Sequence, residues 1–112
     1  MSSAIPHPLP DALVELVAER FRVLGEPTRI KLLDRLREGD ATVSELQETL
    51  GASQQNVSKH LGILRAAGMV TRTKDGNQAR YSISDPAVFE LCDQVCGGAR
   101  RQLAELDAIL RA

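Results

Sequence analysis

The sequence predicts a mainly α-helical domain with one small β-hairpin, and three observations predict it. Apolar residues recur at spacings of three and four through most of the 112 residues. Helix start and stop signals fall where those stripes begin and end. Between the last two stripes lie two short strand-like segments around Asp75-Gly76, a strong hairpin turn. Aromatic residues are only 3% of the chain, so Leu, Val, Ile and Ala must build the core, which favours packed helices over a sandwich.

Three of the five prolines fall in residues 1–10, which show little apolar periodicity and read as a flexible arm. The folded domain is expected over 11–112. Its first helix carries Leu13, Leu16, Val17, Phe21 and Leu24, with Asp11 as N-cap and Gly25 at the end. Pro27 suits the first turn of a second helix with the stripe Ile30, Leu33 and Leu36, stopping at Gly39. Thr42-Val43-Ser44-Glu45 reads as a capping box opening a third helix over 43–50. Gly51 ends it, and Ser53 caps a fourth helix containing Val57, Leu61 and Leu64 that stops near Ala67-Gly68. Two capped helices joined by a short glycine turn form a helix-turn-helix. Met69–Thr73 and Ala79–Ile83 then form the hairpin, and Asp85-Pro86 opens a fifth helix as N-cap and first-turn proline. In that helix Val88, Cys92, Val95, Ala99, Leu103, Leu106 and Leu110 make a stripe long for one small domain. It packs either on the first helix or, as the preferred reading, on a second copy across a two-fold seam. Gly97-Gly98 within it suggests a bend or a close backbone approach.

Composition removes several function classes. Hydrophobic residues are 43% and charged residues 26% of the chain, as in ordinary folded domains. No apolar run reaches the roughly 18 residues of a membrane span, and the start lacks a basic region followed by an apolar stretch, so a cytoplasmic location is expected. The net charge of -1 hides an uneven distribution: residues 1–53 carry -3, residues 54–83 carry +4 and residues 84–112 carry -2. The positive charge sits on the fourth helix and hairpin, where phosphates can be met. An enzyme is not expected. A thiol enzyme needs a base near its cysteine, yet the histidines are His7 in the arm and His60 on the fourth helix. A protein-interaction module of the same fold is a competing class, opposed by the basic middle segment.

Two runs are specific enough to carry a resemblance: LGEPTRIKLLDRL at 24–36 and SQQNVSKHLGILRAAGMVTRTKDGNQARYSI at 53–83. With the order of elements, they resemble the ArsR/SmtB family of metal- and metalloid-responsive repressors over roughly residues 11–111. The resemblance implies a winged helix-turn-helix, α-α-α-α-β-β-α, dimerised through its first and last helices. It also implies a homodimer that binds inverted-repeat DNA and leaves when an inducer binds.

Read from the residues, the fourth helix is expected to present Gln54, Gln55, Asn56, Ser58, Lys59 and His60 opposite Val57, Leu61 and Leu64. Gln and Asn bond bidentately to adenine, and Lys59 suits guanine or phosphate. His60 is open to a packing role as well. Arg72, Lys74 and Arg80 on the hairpin are expected to straddle the DNA backbone.

The family's thiol site on the third helix falls here on Thr42, Ser44 and Gln47, and is absent. Its carboxylate-and-histidine site on the last helix retains Asp85 but meets Ala87, Gly98 and Arg101, and is absent too. What remains is Cys92-x-x-x-Cys96, an i, i+4 pair suited to a soft ion such as As(III) or Cd(II), with Zn(II) a further possible inducer. A redox or reactive-sulfur signal through the same thiols is the alternative. A direct disulfide is opposed by the roughly 5–6 Å between i, i+4 Cβ atoms. The partner chain's cysteines, or His7, are candidates for a third ligand. In the plainest reading the two cysteines are small buried hydrophobes and the DNA-binding protein has no thiol sensor.

Overall fold

The computed structural model describes residues 5–112, apart from the side chain of Cys92. Five helices and three short strands follow in order: α1 Asp11–Leu24, α2 Pro27–Leu36, β1 Ala41–Thr42, α3 Val43–Leu50, α4 Gln54–Ala66, β2 Val70–Asp75, β3 Gln78–Ile83 and α5 Ala87–Arg111. The expected helical domain with a hairpin is the observed one.

The local signals act largely where the residues place them. Pro27 opens α2, and the preceding Glu26 caps it, accepting from the Arg29 amide at 3.1 Å. At α3 the Thr42 hydroxyl accepts from the Glu45 amide at 3.2 Å while the Glu45 carboxylate reaches back to Thr42, a complete capping box. Gly51 then takes a left-handed φ of +63°, which a side chain resists, and turns the chain into α4. Ser53 caps α4 by accepting from the Asn56 amide at 3.1 Å. In the hairpin Asp75 pairs with Gln78, so the turn residues are Gly76 and Asn77, with the positive φ on Gly76.

Several expectations shift. Asp11 is the first helical residue, and Pro10 holds the N-cap position without a side-chain hydrogen bond. Asp85 still caps, accepting from the Ala87 amide at 2.9 Å, but Pro86 occupies the N-cap position. The hairpin strands are Val70–Asp75 and Gln78–Ile83, longer at the tip than expected. The sheet has a third strand: Ala41 and Thr42 pair with Tyr81 and Arg80, giving the antiparallel order β1-β3-β2. Two residues are too few to show periodicity, so this strand becomes visible only when β3 lies beside it. The backbone of α5 is helical through Gly97-Gly98, and the nearest atoms to a Cβ there are Arg101 guanidinium nitrogens at 3.6 and 3.8 Å. Residues 5–10 form no helix or strand and are exposed; the first four residues of the predicted arm lie outside the described residues.

The core gathers Leu32, Leu33 and Leu36 of α2, Leu46 of α3, Val57, Leu61 and Leu64 of α4, and Val70 and Tyr81 of the hairpin. It locks the helix-turn-helix onto the sheet. The outer helices share little of it. From α1 Val23 is buried, while Leu16 and Phe21 are more than half exposed. From Ala99 onward every residue of α5 is exposed, including Leu103 at 65% and Ile109 at 70%. The radius of gyration is accordingly 17.1 Å, against about 13 Å for a chain of this length folded tightly on itself.

Candidate nucleic-acid interface

The capped start of α4 and the hairpin lie side by side because both pack on the same leucines. Val57, Leu61 and Leu64 are fully buried and turn the opposite side of α4 outward. Gln54, Gln55, Ser58 and Lys59 are exposed there, and Asn56 is half-buried. Most of this row is therefore available to a groove, and its side chains are those that read base edges.

His60 is different. It is 7% exposed and lies on the core side of α4, which corrects its placement on the outward face. The reason is angular: at 3.6 residues per turn, position 60 falls beside 57, 61 and 64. Its Nδ1 is 3.8 Å from Glu26 Oε2 and has no hydrogen-bond partner. Burial pushes the Glu26 carboxyl up, but the Arg29 amide, the nearby His60, the Thr28 amide and the Arg29 guanidinium together hold it below the ordinary value of 4.5. A group whose folded pKa is depressed stabilises the fold above its unfolded value, and that contribution is lost as pH falls through the folded pKa. Thermal melts of wild type and Glu26→Gln across an acid series are therefore expected to converge below about pH 4.5. A gap that persists undiminished would show that Glu26 acts by packing alone.

The register divides the hairpin cations. Arg72 faces Tyr81 across the strands and Lys74 faces Ala79, so both share the face that packs toward α4. Arg80 pairs with Thr73, on the opposite face. Its Nε donates to Asp75 at 3.0 Å and its Nη2 is 3.7 Å from Glu45. The hydrogen bond to Asp75 holds Arg80 all the more firmly protonated. Arg72 and Lys74 thus stand beside the polar row of α4, and Arg80 stands apart, engaged by two carboxylates.

Comparisons with known proteins agree with this geometry. A helix-turn-helix domain family matches residues 24–73. An uncharacterized HTH-type transcriptional regulator of Mycobacterium tuberculosis is 39% identical over 101 residues, 89% of each chain. Its crystal structure superposes with a TM-score of 0.77, covering 86% of this chain and 97% of that one. A probable mercury resistance operon repressor of Streptomyces lividans is 40% identical over 80% of this chain and 69% of its own length. A solution structure from Mycobacterium bovis, a homodimeric winged helix-turn-helix DNA-binding domain and possible ArsR-family regulator, superposes with a TM-score of 0.76 at 25% identity, covering 92% and 94% of the two chains. The chain belongs to the ArsR/SmtB family of transcriptional regulators.

In this ArsR/SmtB-family chain α4 is thus the recognition helix and the β2–β3 hairpin is the wing. Among the described residues no helix is long and apolar enough to cross a membrane. Cys96 is a free, exposed thiol on α5. Cys92 lies one turn earlier on the same helix, and its side chain is outside the described residues. Among the described residues, which do not include the Cys92 side chain, no three His, Cys, Asp or Glu side chains converge as metal ligands. Between the two cysteines, Asp93 receives two 2.7 Å hydrogen bonds from Arg37 at the end of α2. The same guanidinium lies over Phe89, 4.8 Å from the ring centre. This tie joins the start of α5 to the end of α2, whose leucines pack with those of α3 and α4. It escaped the sequence reading because its partners are 56 residues apart and each alone is an ordinary surface charge.

Proposed function

We propose that the chain is a homodimeric repressor that holds an inverted-repeat operator through α4 and the wing, and that a soft metal or metalloid at Cys92 and Cys96 releases it. The observation that carries the DNA reading is the row Gln54, Gln55, Asn56, Ser58 and Lys59 flanked by Arg72 and Lys74, within a segment of net charge +4. In this reading the row enters the major groove, Arg72 and Lys74 meet phosphates, and Arg80 reaches the backbone only by exchanging its carboxylate partners. His60 serves by packing α4 rather than by touching DNA.

Dimerisation is supported by the exposed apolar stripes of α1 and α5 and by the homodimeric Mycobacterium bovis domain. Two copies then present two recognition helices to two half-sites, with α1 and α5 as the seam.

The inducer reading rests on the cysteines. Residues one helical turn apart can share a soft ion at thiolate distances near 2.3 Å. As(III) or Cd(II) fits two thiolates from one chain completed by a thiolate of the partner. The Streptomyces lividans relative, named for mercury resistance, supports a soft ion rather than Zn(II). Occupancy that shifts the start of α5 reaches α2 through Arg37–Asp93, and through the shared core the helix-turn-helix. About 1.4 kcal/mol of coupling suffices for tenfold release. The exposed Cys96 thiol also favours a second reading, attack by a persulfide or oxidant, with the Gly97-Gly98 segment able to unwind and let the sulfurs meet.

The test is a titration of the reduced protein on its own promoter fragment with As(III), Cd(II), Zn(II) and a persulfide donor, followed by fluorescence anisotropy. Release by As(III) or Cd(II), abolished in the Cys92→Ser, Cys96→Ser variant, is the expected result. Release that survives the double substitution removes the cysteines from the mechanism.

A further inference from the structure

A cleft of about 300 Å³ opens between the start of α3, the start of α4 and the α4-facing side of the wing. Ser44 of α3, Gln54 and Ser58 of α4, and the cross-strand pair Arg72 and Tyr81 stand on its walls. Each of these side chains can donate a hydrogen bond, and among the described residues none has a hydrogen-bond or ion-pair partner. Tyr81 is the telling member. It is 92% buried and its ring belongs to the core, while its hydroxyl keeps solvent access and has no partner among the described residues. The packed ring holds that open donor in place beside the cleft.

The surroundings select the charge of the missing partner. No acidic residue lines the cleft. Glu45 of α3 is committed to the Thr42 capping box and lies 3.8 and 3.7 Å from Arg35 and Arg80, and Asp75 accepts from Arg80. The capping box satisfies the Glu45 amide at the positive end of α3, the end that favours negative charge. One guanidinium, several neutral donors and a helix N-terminus suit an anion that carries a single charge and offers several acceptor oxygens.

We propose that this cleft is a phosphodiester subsite that takes one DNA backbone phosphate at the edge of the groove entered by α4, with Tyr81, Ser44 and Arg72 as its donors. The inference rests on the DNA-binding reading and adds to it the residues that seat the duplex. A strand bordering the groove between α4 and the wing runs past this opening. A phosphate held there sets how deep α4 sits and carries no sequence information itself. Gln54 then divides its amide between this phosphate and a base edge, while Tyr81 and Ser44 are additions that no motif marked.

The experiment is a methylphosphonate scan. A duplex of the chain's own promoter is prepared with one neutral methylphosphonate at a time, and full-length wild type, Tyr81→Phe and Ser44→Ala are titrated against each duplex. Tyr81→Phe keeps the ring in the core, and thermal melts check that it folds. Each variant is expected to lose about tenfold in affinity on the unmodified duplex, the worth of a hydrogen bond to a charged group. One phosphate in each half-site is expected to cost wild type a similar factor and to cost the Tyr81→Phe variant little further. Wild-type affinity in Tyr81→Phe and Ser44→Ala, or a Tyr81→Phe loss that adds fully to every methylphosphonate, overturns the subsite while leaving DNA binding intact. Failure of wild type to bind any duplex removes the DNA-binding reading and the subsite with it.

Discussion

Replacing Leu103 and Leu106 with glutamate is expected to yield a folded monomer that has lost tight operator binding. Both leucines lie on the part of α5 where every residue is exposed, at 65% and 49% of their surface. They contribute nothing to the core built by α2, α3, α4 and the wing, so the head of each monomer keeps its packing. In the proposed dimer the same side chains meet a second copy. Burying a fully exposed leucine is worth about 1.5–3 kcal/mol, so covering the exposed part of these four across a two-fold seam supplies about 3–7 kcal/mol. A charge at each position costs more still, because a carboxylate in an apolar seam is unpaired. Size-exclusion chromatography with light scattering reads the assembly directly. DNA affinity is expected to fall by about 100-fold or more, since two half-sites no longer act through one linked molecule. A variant that stays dimeric places the seam elsewhere than on α5.

Leu61→Ala is expected to have the largest effect on the fold itself. Leu61 is fully buried on α4, between the α2 leucines and the wing, and the row Gln54 to Lys59 points outward because Leu61 and its neighbours point inward. Truncating a buried leucine costs about 2–5 kcal/mol. Against the roughly 5–15 kcal/mol that holds a domain of this size, this removes a large share of stability. A urea melt is expected to show a lower midpoint with little change in slope. DNA binding at temperatures where the variant is folded is expected to weaken as well, because the recognition helix loses its seat. A loss near zero would mean that the core closes around the cavity.

Much of the architecture was legible in the residues themselves. Capping at Glu45, the left-handed turn at Gly51 and the cap at Ser53 are local events, decided by groups within four positions of one another, and the folded chain keeps them as read. The helical stripe of α4 is likewise set by its periodicity; in α2 Leu33 and Leu36 are buried as read, but Leu32 joins them in the core and Ile30 is 48% exposed. The outward row of α4 follows from the same geometry, and His60 was readable too: its i+3 and i+4 relations to Val57 and Leu64 place it with the core.

Other features arose only when distant segments met. β1 exists because Ala41 and Thr42 lie beside β3. Arg80 leaves the company of Arg72 and Lys74 because the register fixes which face each residue takes, and Asp75 and Glu45 then hold it. The tie between Arg37 and Asp93, and the cleft that gathers Ser44 with Tyr81, join positions 56 and 37 residues apart, beyond the reach of any local pattern. Which segments are helical, and which side chains α4 turns outward, follow from the residues alone, because those outcomes depend on short-range backbone hydrogen bonds and apolar spacing. Which charges are paired and which donors stand open was settled by the fold, because electrostatic partnership depends on distance in space and not along the chain.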